Sequence, residues 1–314
     1  MSLKIVSTKI KSVNKTRQVT KAMEAVSAVK MRKSQATALA ARPYARAALS
    51  MLRTLSRTTD VAEHPLATVR PIGKTCYVVI TSDRGLAGSL NSAVLKACLR
   101  DMAAQGLSHA AVSVVTIGAR GTGFFNTRSI TSLGRYERWG DFISYDEVAP
   151  AIATARRAFE SGACDTVKIV YTNFLSTLKQ EAVVRTLLPL DPHAVEEVVE
   201  GITPERGRYA ELRREDTAVG RRDTSRITPL FEPNPRAVLD TLLPALLNVY
   251  LYHAVLEANA SEHSSRMVAM KNASENAGTM LKGLKLSYNK ARQAGITQEV
   301  SEIVGGTEAL ATSN

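Results

Sequence analysis

The stretch KLSYNKARQAGITQEVSEIVGG (285–306) decides how the rest of the chain is read. Its residues suit a helix, yet Leu286, Ile296, Val300, Ile303 and Val304 are too sparse to seat that helix in a core. The helical pattern runs upstream as far as Arg236. Val238, Leu242, Leu246, Val249 and Leu256, then Met267, Ala273, Ala277, Met280, Leu284 and Tyr288, keep helical spacing after Pro233 and Pro235. At 1.5 Å per residue this predicts a rod of roughly 100 Å, longer than any α/β domain of this size.

A second rod opens the chain. Residues 3–57 hold one proline, Pro43, and no glycine. Val6, Ile10 and Val13, then Val19, Met23, Val26 and Val29, form an amphipathic stripe that slips once. The expected helix is roughly 80 Å long, kinked but not ended by Pro43. Two such helices bury their stripes only against each other or against a partner, which predicts an antiparallel coiled coil. Ala22, Ala25, Ala28, Ala258, Ala260, Ala273 and Ala277 are expected to allow close approach.

Between the rods the pattern changes. TCYVVIT (75–81), VSVVTIG (112–118) and TVKIVYTNF (166–174) read as strands alternating with helices near 89–104 and 146–161. That is the order of a parallel sheet with crossover helices, and EAVVRTLLPL (181–190) could add a strand. The fold class is therefore α/β. Residues 1–60 and 235–306 form the coiled coil, 70–190 the α/β domain and 191–234 a polar connector, with 191–228 an exposed loop or hairpin.

The net charge of +12 is concentrated at the start: residues 1–57 carry thirteen Lys or Arg against one acid, Glu24. Cys76, Cys98 and Cys164 form no CxxC pair and read as reduced intracellular thiols. No run of apolar residues approaches the roughly 20 needed to span a bilayer. The basic N-terminus is Lys-rich and several times longer than a transit peptide, so it is expected to belong to the mature fold.

Candidate chemistry is thin. SDRGLAGSLN (82–91) is a glycine-containing strand-to-helix turn without the GxxxxGK[ST] pattern, and GARGTGFF (118–125) lacks the GxGxxG order. Both are read as structural turns. Glu262, His263 and Ser264 are consecutive, so a helix points them about 100° apart, and a coincidental exposed cluster is expected. The five histidines show no metal-ligand spacing. No cofactor, metal or catalytic residue is expected. A basic coiled coil fits an acidic protein partner; a nucleic-acid-binding or scaffold protein is the second reading, although Tyr44 is the only aromatic in residues 1–57.

Four segments resemble one family closely: KIKSVNKTRQVTKAMEAVSAVKMRKSQ (9–35), ITSDRGLAGSLN (80–91), SEHSSRMVAMKNASENA (261–277) and YNKARQAGITQEVSEIVGG (288–306). They are similar to the gamma subunit of F-type ATP synthases, over essentially the whole chain and from almost its first residue, so no transit peptide is expected and the bacterial form is implied. Ala87 stands where many relatives carry Cys, and 191–228 is longer and more charged than usual.

The resemblance implies a non-catalytic central rotor that couples proton-driven ring rotation to ATP synthesis or hydrolysis on beta. It implies a Rossmann-like α/β foot and, as partners, the alpha and beta subunits, epsilon and the c-subunit ring, with no nucleic acid. Membrane association through the complex, at the cytoplasmic face of the bacterial inner membrane, follows in the same way. It also places Met23, Lys30 and Arg32 toward the acidic lever of beta, Arg84 beside the coiled coil among the contacts with the hexamer, and Arg292, Gln293, Thr297 and Glu299 against loops of the alpha/beta hexamer.

Overall fold

The structure, a computed structural model, describes residues 3–56, 61–140, 143–191 and 231–311. The polar segment expected over 191–228 lies almost wholly outside them. The first helix, α1, runs unbroken through Pro43 from Leu3 to Leu55. The last, α5, runs from Pro235 to Ala311, about seven residues beyond its expected end. Asn234 caps α5 by accepting from the Ala237 N–H at 2.8 Å, and Pro235 supplies a first-turn residue with no donor to satisfy. By internal contacts the chain divides into two units, residues 1–26 with 267–314, and residues 27–266.

The larger unit is built on a five-stranded sheet: β1 (Thr75–Ile80), β2 (Val112–Ile117), β3 (Thr131–Tyr136), β4 (Thr166–Phe174) and β5 (Gln180–Leu188), in the order β3-β2-β1-β4-β5. β1 pairs in parallel with β2 and β4, and β2 in parallel with β3. β5 is antiparallel to β4, because a link of five residues can close a hairpin but cannot make a crossover. Strand β3 was not expected: TSLGRY has one large aliphatic residue and lies half-exposed at the sheet edge, so it lacks the buried alternation that marks a strand.

Every residue of β1 is buried because both faces of the sheet are covered. Tyr77 and Val79 pack under α2 (Leu90–Ala104) and α3 (Ala119–Asn126). Cys76, Val78 and Ile80 face α4 (Tyr145–Glu160), the end of α1 and the first half of α5. Ser144 opens α4 with a capping box closed by Glu147.

Within this unit α1 and α5 run antiparallel. Met31 meets Ala260, while Glu63 and His64, just past α1, reach Arg236 and Asp240 at the start of α5. An 18-residue window of α5 reaches a mean hydropathy of 1.3, although polar residues interrupt its apolar runs. That window is 61% buried inside the protein, as a helix apolar on all sides must be when a sheet and a second helix cover it.

In the smaller unit, residues 3–26 of α1 accompany 267–311 of α5. Met270, Ser274, Ala277 and Leu281 are buried at the 3–4 spacing of a coiled-coil seam. Leu284, Tyr288, Ala291 and Gly295 continue it, half-buried.

The expected stripe of α1 holds only in part. Val6 is buried, but Val19, Val26 and Val29 are 51%, 53% and 64% exposed, and Ala22 and Ala25 also face outward. Between Val6 and the buried end of the helix (Ala48, Leu49, Leu52 and Leu55), the buried positions are Thr20, Ser27, Met31, Ser34 and Ala38. Short hydroxyl side chains are small enough for close approach, and Thr20 returns its hydroxyl to the Arg17 carbonyl at 3.0 Å. Hydrophobicity alone selected the neighbouring valines instead.

Candidate functional site

The two glycine-containing turns meet and close one another. Gly118, between β2 and α3, has φ of +93°, and a Cβ there would lie 2.1 Å from the Thr81 carbonyl oxygen. Only glycine fits. The N-terminal N–H groups of α3, the usual place for a phosphate, are spent internally. Ala119 donates to Asp83 Oδ1 at 2.9 Å, Arg120 to the Ser82 carbonyl at 3.2 Å and Gly121 to Thr81 Oγ1 at 2.8 Å. The Asp83 carboxylate occupies the place an anion would take.

Beside this junction, at the carboxyl ends of β1, β2 and β3, lies a cavity of about 570 Å³. Arg84 lines it together with Val255, Asn259, Glu262 and His263 of α5, so the structure does bring Arg84 beside the C-terminal helix. Trp139, Glu137 and Arg138 border it from the segment after β3.

Glu262, His263 and Ser264 are not the exposed cluster expected: His263 and Ser264 are buried and Glu262 is largely covered. Their divergence does hold. Glu262 accepts from Arg266 at 2.6 Å, whereas Ser264 Oγ donates to the Thr177 carbonyl at 2.7 Å in another direction. Arg266 also donates to the Gly85 carbonyl at 3.3 Å, tying the 82–86 loop to α5. The Glu262–Arg266 pair is legible as an i,i+4 spacing in the sequence; its burial is not.

A buried polar group that no motif marks is Glu257, on the stretch of α5 facing the sheet. Burial pushes its carboxyl up to about 7, while the nearby Arg185 guanidinium and the Tyr171 hydroxyl pull it back.

The remaining candidates lie on the helices. Met23 and Lys30 are half-buried and Arg32 is exposed; two residues apart on α1, Lys30 and Arg32 do not share a face. Arg292, Gln293, Thr297 and Glu299 are all exposed on the last turns of α5, where Thr297 donates to the Gln293 carbonyl at 3.0 Å. Among them Leu286, Ile296, Val300, Ile303 and Val304 stand 50–66% exposed. In the same unit a groove of about 680 Å³ is lined by Arg17 and Lys21 of α1 and by Lys271, Lys282 and Lys285 of α5, against Glu24 and Glu275.

A family model described as ATP synthase matches residues 2–310. The ATP synthase gamma chain of Pelotomaculum thermopropionicum is 38% identical over 309 residues, covering 98% of this chain and 99% of that one. That of Opitutus terrae is 39% identical over 306 residues, 97% of each. Among solved structures, a chain of the Euglena gracilis mitochondrial ATP synthase (OSCP/F1/c-ring) matches with a TM-score of 0.63 at 17% identity, over 98% of this chain and 94% of that one. One from the central stalk and c-ring of the Tetrahymena thermophila enzyme gives 0.56 at 22%, over 82% and 99%. Long terminal helices packed together, a five-stranded sheet and matches along nearly the full length agree: the chain belongs to the ATP synthase gamma-chain family.

Proposed function

We propose that this chain is the central-stalk rotor of an ATP synthase and does its work without an active site of its own. The observation that carries this is the tip of α5. Five large apolar side chains and Arg292, Gln293, Thr297 and Glu299 face outward there, and from Ile296 to Val304 every residue of the helix is exposed.

Such a surface suits a bearing. A shaft that visits three equivalent orientations cannot bind one of them much more tightly than the others, since about 5.5 kcal/mol of preference already shifts a two-state balance from 1:99 to 99:1. Sparse apolar contacts and a few hydrogen bonds keep the wells shallow. An asymmetric shaft still biases three surrounding sites into different states, and by linkage their occupancy biases the shaft in return.

In this reading the surrounding sleeve is a hexamer of alpha and beta subunits. Arg292, Gln293, Thr297 and Glu299 meet its loops, Met23, Lys30 and Arg32 face the acidic lever of beta, and Arg84 lies beside the coiled coil. The basic groove between Arg17 and Lys285 has the sign such a lever needs. Residues 70–190 form the foot on epsilon and the c-ring, residues 1–60 with 235–306 the shaft, and 191–234 the connector. The chain then reaches the cytoplasmic face of the bacterial inner membrane through the complex.

Co-purification tests the proposal. The tagged chain is expected to bring down alpha and beta subunits and to support ATP-driven proton uptake in vesicles. Recovery of nucleic acid that is lost steeply with salt, and no alpha or beta, would establish the nucleic-acid reading instead.

A further inference from the structure

Where α5 leaves the sheet, its packing changes in kind. Its contribution to the main apolar cluster ends at Ala258. The next turns carry Ser261, Ser264 and Ser265, which are poorer helix formers than the leucines before them. All three make hydrogen bonds to β4 or to the β4–β5 hairpin. Ser261 Oγ donates to the Thr172 carbonyl at 3.1 Å, Ser264 Oγ to the Thr177 carbonyl at 2.7 Å, and Ser265 Oγ to Gln180 Oε1 at 3.1 Å.

Gln180 is the node. Its Nε2 lies 3.0 Å from the Ser176 carbonyl, 2.8 Å from the Thr177 carbonyl and 3.3 Å from Ser264 Oγ, while its Oε1 accepts from Ser265. One side chain thus closes the hairpin turn and fastens it to two successive residues of the helix.

We propose that Gln180 is a positioning residue for rotation: it locks the β4–β5 hairpin to Ser264 and Ser265, fixing the azimuth and axial register of α5 on the sheet domain. The proposal rests on the rotor reading above. Apolar contact is non-directional and lets a helix roll or slide on a sheet, whereas hydrogen bonds hold an angle. A helix that carries torque needs the second kind of attachment where it departs from the domain that drives it.

The test uses the assembled ATP synthase in membrane vesicles with Gln180→Ala, with Ser264→Ala plus Ser265→Ala, and with all three changes. ATP hydrolysis and ATP-driven proton uptake are measured on the same vesicles, and amide exchange is measured over 176–180 in the complex. The expected result is normal assembly and retained hydrolysis, with hairpin exchange raised about fivefold by the lost bonds. Protons moved per ATP should fall as the opposing gradient builds, and the triple variant should exceed Gln180→Ala only by the loss of the Ser264–Thr177 bond, the one tie that does not pass through Gln180.

Raised exchange with an unchanged proton-to-ATP ratio overturns the proposal. So does a loss of both activities in proportion to the amount of complex assembled, which marks a structural role only. If Gln180→Ala fails to assemble, Ser265→Ala removes a single bond and is read in the same way. Absence of the wild-type chain from the complex would instead refute the rotor reading.

Discussion

One helix, α5, holds two regions of opposite character. From Leu239 to Ala260 it is buried on nearly every side by sheet, α4 and α1, and between Leu286 and Val304 its leucine, isoleucine and valine side chains stand outward. The local secondary structure is the same in both. What differs is whether the chain itself supplies the surroundings, and that separates a residue that stabilises the fold from one available to a partner.

The largest expected effect tests this contrast directly. Leu243 is fully buried, so Leu243→Ala should cost about 3 kcal/mol through lost transfer energy and the cavity left behind. Val300→Ala at the tip should cost less than about 0.5 kcal/mol. Denaturant unfolding of both variants checks the pair, and comparable losses would mean that the tip is packed in the isolated chain.

Glu257 sharpens the buried half. Its carboxyl titrates near 7 in the fold and at 4.5 as a free group, so between those values the folded chain keeps a proton that the unfolded chain releases. Its contribution to stability therefore falls as pH rises from 4.5 to 7 and is constant above. Glu257→Gln should be nearly neutral at acid pH and stabilising by up to about 3 kcal/mol at about pH 8. Unfolding free energies of both proteins across that range decide it, and a difference independent of pH would mean that the carboxyl is ionised throughout.

Smaller effects are expected on the surfaces proposed for partners. Met23→Lys should add a charge-assisted hydrogen bond to an acidic lever, worth roughly 1.5–3 kcal/mol in some shaft orientations only. Hydrolysis should then persist while proton uptake falls, measured on the same vesicles. Neutralising Lys30 and Arg32 together should weaken coupling by about 0.2–1 kcal/mol, and less at high salt, since exposed pairs are screened over about 10 Å at 0.1 M. An effect identical at low and high salt would assign these residues to packing.

The sequence by itself determined the two long helices, the strands at 75, 112, 166 and 181, the helices near 89–104 and 146–161 and the antiparallel arrangement, because long periodic runs and short β-branched runs are local signals. It also carried the family, through four long segments. The tertiary structure alone decided the rest. Which side of α1 is buried turned on Thr20, Ser27 and Ser34, small enough for close approach but invisible to a hydrophobicity count. Strand β3 exists because β2 offers it a partner, not because TSLGRY prefers to be extended. Gln180 lies more than eighty positions from Ser264 and Ser265 in the chain, and only the folding of β5 against α5 brings it within hydrogen-bond reach of them. Contacts between distant segments depend on shape and directed polar groups, whereas helix and strand patterns are written in neighbouring residues.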